Sequence, residues 1–213
     1  MTNGNHLELV RKYFHYSGNK YIEKLEQFSE ILTITNESIN LISRKDIVNL
    51  EVNHILHSLA ILKLVTFKKN AKVLDVGTGG GLPGLPLAIM NPNTEFMLID
   101  RIGKKIKAVE NIVKQLELKN VECAQIQAVE VKGKFDFIVS RAVTRLPEFV
   151  SWIENKIEKR SNHSLQNGVL YLKGGELSEE LFEIKWDHRV FGINQFFEES
   201  YFETKNIVHL FKQ

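Results

Sequence analysis

Residues 73–84 read VLDVGTGGGLPG, a short apolar segment that passes through an aspartate into a turn dense in glycine. Its branched and aliphatic residues are typical of a buried parallel strand. The glycines that follow can adopt backbone angles that other residues resist, so a ligand can approach the main chain closely. Pro83 suits the beginning of a helix, which we expect over 84–90. The stretch therefore predicts a strand, a ligand-binding turn and a helix N-terminus in succession.

The glycine spacing is compatible with two classes of cofactor site. Gly79, Gly81 and Gly84 fit the pattern G-x-G-x-x-G of dinucleotide sites, whereas Gly77, Gly79 and Gly81 fit the G-x-G-x-G of methyltransferases. Asp75 favours the second class, because a carboxylate at this position would repel a pyrophosphate and attract the cationic groups of S-adenosylmethionine. S-adenosylmethionine is therefore the expected cofactor, with Asp75, Gly77 and Gly79 as candidate binding residues. A nicotinamide dinucleotide is the alternative.

The rest of the chain predicts an α/β fold. Residues 6–65 show helical periodicity and no strand signal, and from residue 71 strands alternate with helices, as in a parallel sheet. Seven strands are expected, over 73–76, 95–100, 121–127, 135–142, 168–175, 189–193 and 205–211. Helices are expected over 104–118 and 146–157 between the later strands.

Polar residues follow the predicted strands at their carboxyl ends. Asp100 ends the second strand about twenty residues beyond the glycine turn, where a carboxylate can accept hydrogen bonds from both ribose hydroxyls of an adenosine. Val129 and Glu130 follow the third strand, where an adenine ring would meet backbone groups and one polar side chain. Arg141 leaves the fourth strand. These residues extend the candidate cofactor site beyond the glycine turn.

Composition limits the function classes. A chain of 213 residues with 43% hydrophobic and 25% charged residues is ordinary for one globular domain. No apolar run approaches the length of a membrane span, and the N-terminal residues show no leader pattern, so we expect a cytoplasmic protein. The lone Cys123 predicts neither a disulfide nor a zinc site, and His54 and His57, three residues apart without further ligands, predict no metal.

Basic residues cluster after strand ends, although the net charge is only +2. In a parallel sheet they would gather on the rim of the ligand site and could contact nucleic acid. An alternative that the sequence supports equally well is that they are ordinary solvated residues on helix faces. They are Arg101, Lys104, Lys105, Lys107, Lys132, Lys134, Arg141 and Arg145.

Six short motifs together resemble the glucose-inhibited division protein B family over about residues 40–175. They are GTGGGLPGLPL at 77–87, LIDRIGKK at 98–105, FDFIVSRA at 135–142, LKGG at 172–175, NLIS at 40–43 and HILHSL at 54–59. One position departs from the family pattern, because the family usually has HIxDS where this chain reads HILHS, so His57 replaces an acid.

This resemblance implies a class I, Rossmann-like methyltransferase fold, S-adenosylmethionine as donor, and methylation of guanine N7 in small-subunit ribosomal RNA. It implies a helical N-terminal extension over 1–66, packed on a methyltransferase domain over 67–213. It also implies cofactor contacts, which fall on Gly77, Leu82, Val129, Glu130 and Arg141. The expected partner is small-subunit ribosomal RNA or the 30S particle, with no membrane and no metal, and the protein is expected to be a monomer.

Guanine N7 carries a lone pair and no proton, so its methylation needs alignment of donor and acceptor more than a general base. The SRAV after the fourth strand lacks the Asn/Asp-Pro-Pro-aromatic cluster of exocyclic-amine methyltransferases, and Cys123 comes too early for a pyrimidine-C5 nucleophile. Arg141 is the candidate catalytic residue, and it could hold the donor, position a phosphate or bind guanine O6. A nicotinamide-dependent oxidoreductase and a non-catalytic ribosome-assembly RNA binder are the alternative functions.

Overall fold

A seven-stranded sheet forms the centre of the structure, a computed structural model that describes residues 7–43 and 46–212. Its strands are β1 Lys72–Val76, β2 Glu95–Asp100, β3 Val121–Gln125, β4 Phe137–Arg141, β5 Gly168–Gly174, β6 Asp187–Gly192 and β7 Lys205–Phe211. Their spatial order is β3-β2-β1-β4-β5-β7-β6. Strands β1 to β5 are parallel, whereas β7 is antiparallel to both of its neighbours. The prediction of a seven-stranded, mostly parallel sheet is confirmed.

Helices cover the sheet on both faces. They are α1 Glu8–Tyr13, α2 Asn19–Ser38, α3 His57–Leu59, α4 Gly84–Met90, α5 Gly103–Gln115, α6 Leu146–Ile153 and α7 Ser178–Phe182. Val73 and Leu74 of β1 are both fully buried, in two different apolar clusters on opposite faces of the sheet. This is why β1 reads as a nearly continuous apolar run rather than as an alternation. Helix α4 has the bounds expected from the sequence.

The N-terminal part of the chain is helical, as expected. Helix α2 buries Ile22, Leu25, Phe28 and Leu32 at helical spacing, and short helical turns at Ile47–Asn49, Glu51–Leu56 and Ala60–Lys63 surround α3. Leu25, Phe28 and Leu32 belong to the same apolar cluster as Val73 of the sheet, so the extension packs directly on the core. The division of the chain at residue 66 stays a prediction.

The chain reverses its direction of travel through the sheet between β1 and β4. From β1 it moves outward to β2 and β3, and then returns to form β4 on the other side of β1. Crossover connections on the two sides of this point leave a crevice above the carboxyl ends of β1 and β4. The glycine-rich segment after β1 lies at that point.

Several element ends differ from those predicted. Strand β3 ends at Gln125 rather than at residue 127, because Gln127 caps the short 3-10 turn Ala128–Glu130. Strand β4 begins at Phe137, and α6 ends at Ile153 rather than at residue 157. Ile157 forms an isolated parallel bridge with Phe135 instead, so the chain at this residue is extended rather than helical. Within the described residues, no helix is both long and apolar enough to cross a bilayer.

Candidate functional site

A cleft of about 620 Å³ opens at the carboxyl ends of β1, β2 and β4. We call residues 77–84 the glycine turn and residues 141–144 the β4 exit loop. The glycine turn and the β4 exit loop form two walls of the cleft, and residues 99–102 and 126–129 form most of the rest. Single residues complete the lining, namely Leu41, Val76, Lys105, Glu148 and Trp152. The cleft therefore occupies the crevice in which open α/β sheets bind their ligands.

Asp75 supports the glycine turn from beneath. Its side chain is fully buried, and its Oδ2 accepts hydrogen bonds from the Thr78 hydroxyl at 2.6 Å and the Gly84 amide at 2.9 Å. Burial raises the pKa of Asp75 to about 7, although these two hydrogen bonds lower it. Asp75 does not belong to the described residues that line the cleft. Its predicted contact with a cofactor stays a prediction, and the geometry gives it the role of shaping the turn.

Three glycines of the turn have the left-handed backbone that the sequence suggested, Gly81 with a φ of 86° and two that precede it. Gly77 has a φ of 71° and Gly79 a φ of 57°. A Cβ on Gly77 would lie 2.5 Å from Cγ2 of Val143, which belongs to the β4 exit loop. Gly77 is therefore required both by its backbone angle and by the close approach of the opposite wall. Gly77 and Gly79 line the cleft with their main chain.

Asp100 connects the end of β2 to the glycine turn and lines the cleft. Its Oδ2 accepts a hydrogen bond from the Gly79 amide at 3.1 Å, and its Oδ1 accepts one from the Ile102 amide at 2.9 Å. Each carboxylate oxygen can accept more than one hydrogen bond, so capacity for two ribose hydroxyls is left. The position and the remaining hydrogen-bonding capacity agree with the predicted role.

The three other predicted cofactor contacts differ in position. Leu82 and Val129 line the cleft, and Val129 is 55% exposed. Glu130 is exposed and does not line it within the described part of the chain. Its carboxylate instead accepts the Gln127 amide at 3.1 Å and closes the turn after β3. A contact between Glu130 and the cofactor stays a prediction.

Arg141 lies half-buried at the end of β4 and lines the cleft. Its Nη1 donates a hydrogen bond to the Asn53 carbonyl at 3.2 Å, and the Tyr201 hydroxyl donates to the same oxygen at 3.3 Å. Burial lowers the pKa of Arg141, whereas the nearby Tyr201, Asp75 and Asp46 raise it. The N-terminal extension therefore holds this guanidinium through the Asn53 carbonyl, to which the segment before β7 also donates.

Two histidines of the N-terminal extension, His54 and His57, lie close enough to Arg141 to feel its charge. His54 and His57 are buried, and burial together with the charge of Arg141 lowers the pKa of each to about 3. The Nδ1 of His57 lies 3.4 Å from the Tyr201 hydroxyl, and the two rings meet edge to face at 5.7 Å. Among the described residues, no group of three or more His, Cys, Asp or Glu side chains could hold a metal ion.

The basic residues divide into two groups. Arg101 and Lys105 line the cleft, with the exposed Lys104 and Lys107 on the same segment, and no ion pair joins these four to a carboxylate within residues 7–43 and 46–212. By contrast, Arg145 pairs with Glu183 at 2.7 Å, and Lys134 donates to the Asn155 carbonyl. Neither Lys132 nor Lys134 lines the cleft. Two further basic residues, Arg44 and Lys45, which are consecutive in the N-terminal extension, lie outside the described residues.

Sequence reasoning missed the residues that hold the β4 exit loop. The hydroxyl of Tyr171, on β5, accepts the amides of Val143 at 2.8 Å and Thr144 at 3.0 Å. Ala142 has a φ of 49°, which is unusual for a residue with a side chain. In the sequence, Tyr171 is simply one apolar position of the run GVLYLKG, and its partners are distant along the chain, so no local signal could have identified it.

The fold is that of the class I S-adenosylmethionine-dependent methyltransferases. A methyltransferase of this kind from Aquifex aeolicus superposes with a TM-score of 0.56 at 18% sequence identity, over 79% of this chain and 98% of that one. A precorrin-6y C5,15-methyltransferase from Geobacter metallireducens gives the same TM-score at 12% identity, over 83% of this chain and 92% of that one. At these identities the likeness concerns the fold alone.

The sequence places the chain within this class. The family model described as rRNA small subunit methyltransferase G (GidB) matches residues 21–207. Proteins named ribosomal RNA small subunit methyltransferase G are 52% identical in Flavobacterium johnsoniae, over 96% of this chain and 97% of the relative, and 48% identical in Christiangramia forsetii, over 96% of each. The chain belongs to the rRNA small subunit methyltransferase G family. The resemblance based on the motifs and the choice of S-adenosylmethionine are confirmed, and neither alternative function is supported.

Proposed function

We propose that this protein transfers the methyl group of S-adenosylmethionine to N7 of a guanine in small-subunit ribosomal RNA. The observation that carries the proposal is the convergence of the glycine turn, Asp100 and Arg141 on one cleft, in a chain of this family. A ribosomal RNA substrate implies that the reaction takes place in the cytoplasm of a bacterium.

The residues of the cleft fit the donor. Gly77 and Gly79 have no side chains, so their main chain is accessible to a ligand in the cleft. Asp100 can still accept hydrogen bonds from ribose hydroxyls. Val129, exposed at the other end of the cleft, offers an apolar contact for an adenine ring. When bound, S-adenosylmethionine supplies an electrophilic methyl group on a cationic sulfur, which keeps the electron pair of the broken bond.

The acceptor atom explains what the protein has to do. Guanine N7 donates its lone pair to the methyl carbon and has no proton to lose, so no side chain needs to act as a base. Catalysis then depends on holding the donor and the guanine in line, with their reacting atoms close together. The glycine turn, hydrogen-bonded to the end of β2 through Gly79 and Asp100, is suited to this task.

Arg141 has donors to spare for this positioning. A guanidinium has five N–H groups, and the described hydrogen bonds use one of them, on the Asn53 carbonyl. The others can hold the carboxylate of the donor, a phosphate of the RNA or guanine O6, and the planar fork suits each of these oxygens better than a lysine ammonium does. We therefore assign Arg141 to substrate binding in the reacting complex and leave these three partners open.

The proposal can be tested with labelled S-adenosylmethionine and small subunits whose ribosomal RNA lacks the modification. Transfer of label, followed by mapping of the modified base, should give N7-methylguanine in the intact particle or in the naked RNA. Label on another atom would contradict the proposal. Donor binding with no transfer to particle or RNA would instead favour a non-catalytic assembly factor.

Single-turnover rates of two variants test the role of Arg141. Arg141→Lys keeps the charge but loses the planar fork, so we expect the rate to fall by about a hundredfold while the protein stays folded. Arg145→Lys is the matched control, because Arg145 pairs with Glu183 outside the cleft. Equal rates for wild type and Arg141→Lys would remove Arg141 from the site.

A further inference from the structure

The hydroxyl of Tyr171 makes three hydrogen bonds, all of them to the β4 exit loop. It accepts the amides of Val143 at 2.8 Å and Thr144 at 3.0 Å, and it donates to the Thr144 carbonyl at 2.9 Å. A phenol has one donor and two acceptor sites, so these three bonds saturate it. The side chain is fully buried, and its ring packs edge to face on Phe149 at 4.8 Å.

The loop held by this hydroxyl has an unfavourable backbone. Ala142 has a φ of 49°, in a region where a side chain crowds the main chain. Such a conformation persists only where the surrounding structure fixes it. The Ala142 amide contributes only a long hydrogen bond, at 3.3 Å, to the Leu172 carbonyl. The shorter bonds from Val143 and Thr144 to Tyr171 are therefore the main support of the loop directly after Ala142.

The position of the loop determines the position of Val143. The Val143 side chain lies directly over Gly77, so close that a Cβ on that glycine would be 2.5 Å from Cγ2. Val143 and Gly77 both line the cleft, from opposite walls, whereas Tyr171 does not line it. Any shift of the loop would therefore alter the separation between the β4 exit loop and the glycine turn.

We propose that Tyr171 is a positioning residue for the donor site, because its hydroxyl fixes the β4 exit loop and thereby seats Val143 against the glycine turn. It acts through Val143 and has no contact of its own with the cleft. The inference rests on the donor site of the proposed function, but not on the identity of the methyl acceptor.

The test is the affinity of the purified protein for S-adenosylhomocysteine, measured by calorimetry without RNA. Tyr171→Phe keeps the ring against Phe149 and removes only the hydroxyl, so we expect the affinity to fall by about tenfold. Tyr13→Phe is the matched control. The Tyr13 hydroxyl accepts the Glu198 amide at 3.0 Å, and neither residue lines the cleft. This control should lose stability without losing affinity.

A double-mutant cycle with Val143→Ala shows whether Tyr171 acts through Val143. If it does, Tyr171→Phe should have little further effect on affinity in the Val143→Ala protein, so that the two effects are not additive. Additive effects, or an unchanged affinity in Tyr171→Phe, would overturn the inference. If Tyr171→Phe does not fold, an unchanged affinity in Val143→Ala alone would overturn it.

These outcomes differ from those that would refute the proposed function. Wild-type protein that binds S-adenosylhomocysteine but methylates no ribosomal RNA would contradict the proposed substrate and leave the role of Tyr171 standing. If the wild-type protein methylates ribosomal RNA and Tyr171→Phe keeps full affinity, the proposed function stands and the role of Tyr171 is contradicted.

Discussion

The two walls of the cleft are built in different ways. The glycine turn is held by residues close to it in sequence, since Asp75 binds Thr78 and Gly84, and by the end of the neighbouring strand β2, where Asp100 binds Gly79. The β4 exit loop is held by distant segments, since the Asn53 carbonyl binds Arg141 and the Tyr171 hydroxyl binds Val143 and Thr144. The first wall is thus largely a local motif, and the second depends on the packing of the whole molecule.

The two walls also differ in backbone strain and in where their support comes from. Glycines supply the unusual backbone angles of the turn, whereas the exit loop places Ala142 in a similar angle at a cost and needs outside support. The walls meet where Val143 packs on Gly77 and where the Ser140 hydroxyl donates to the Val76 carbonyl at 2.8 Å. Substitutions at the meeting point should disturb both walls, and substitutions within one wall should disturb it alone.

The largest effect is expected from Gly77→Ala. The variant must place a side chain at a φ of 71° and within 2.5 Å of Val143. Strain and overpacking together should cost about 2–5 kcal/mol of unfolding free energy and abolish measurable binding of S-adenosylhomocysteine. Chemical unfolding and calorimetry measure the two effects.

The control for this change is Gly175→Ala. Gly175 also has a positive φ, of 83°, but a Cβ there would meet no atom within 4 Å. It should therefore cost only the backbone strain, about 1–2 kcal/mol. If both alanine variants lost the same stability and bound the ligand equally well, the contact between the two walls would have no energetic importance.

The next effect concerns Asp100, which binds the glycine turn from the end of β2. Asp100→Ala removes the acceptor of the Gly79 amide and of the expected ribose hydroxyls, so donor affinity should fall by about ten- to a hundredfold. Asp136→Ala is the control. Asp136 accepts the Lys72 amide at 2.8 Å and does not line the cleft. Equal affinity in a folded Asp100→Ala protein would remove Asp100 from the donor site.

The same contrast explains what the sequence could predict. The strand, the turn and the helix of 73–90 follow from residues adjacent to one another, and α4 begins and ends as expected. The role predicted for Asp75 rested on its charge, and that for Glu130 on its place after β3 and on the family resemblance. In the structure both carboxylates accept backbone amides, and neither lines the cleft. The Asn53 carbonyl that binds both Arg141 and Tyr201 reaches them only when the N-terminal extension packs against the segment before β7, and no local pattern encodes this contact.

A smaller effect should appear in the pH dependence of stability, to which Asp75 beneath the glycine turn and His57 near Arg141 contribute with opposite sign. The pKa of Asp75 is raised from 3.8 to about 7, so between these pH values the folded protein binds a proton that the unfolded chain does not. The contribution of Asp75 to the stability of the fold therefore falls as pH rises through this range. The pKa of His57 is lowered from 6.5 to about 3, so the unfolded chain binds the proton and stability is lost as pH falls.

Asp75→Asn should remove only the first of these contributions. The free energy of unfolding of the variant should then rise more steeply with pH than that of the wild type between about pH 4 and 7, by at most about 1.4 kcal/mol per pH unit. Urea unfolding at several pH values measures both curves. Parallel curves would mean that the buried carboxyl of Asp75 has an ordinary pKa in the folded protein.

The charges on the two walls also differ. After β2, Arg101, Lys104 and Lys105 carry no ion pair in the described part of the chain, whereas beyond the exit loop Lys173 pairs with Glu180 at 2.6 Å. Arg145 is likewise paired, with Glu183. RNA phosphates should therefore meet free cations mainly on the side of the glycine turn, because the paired cations are already neutralised.

The smallest effect follows from this asymmetry and is seen in the salt dependence of RNA binding. Each phosphate contact to single-stranded RNA contributes about 0.7 to the slope of log affinity against log salt, so replacing both Lys104 and Lys105 by alanine should flatten the slope by up to about 1.4. Donor affinity should barely change. The control pair is Lys114 and Lys119, two exposed lysines at the other end of α5 and just beyond it, whose replacement removes the same charge far from the cleft. An equal flattening in both double variants would mean that overall charge, rather than the side of the cleft on which it lies, governs the approach of RNA.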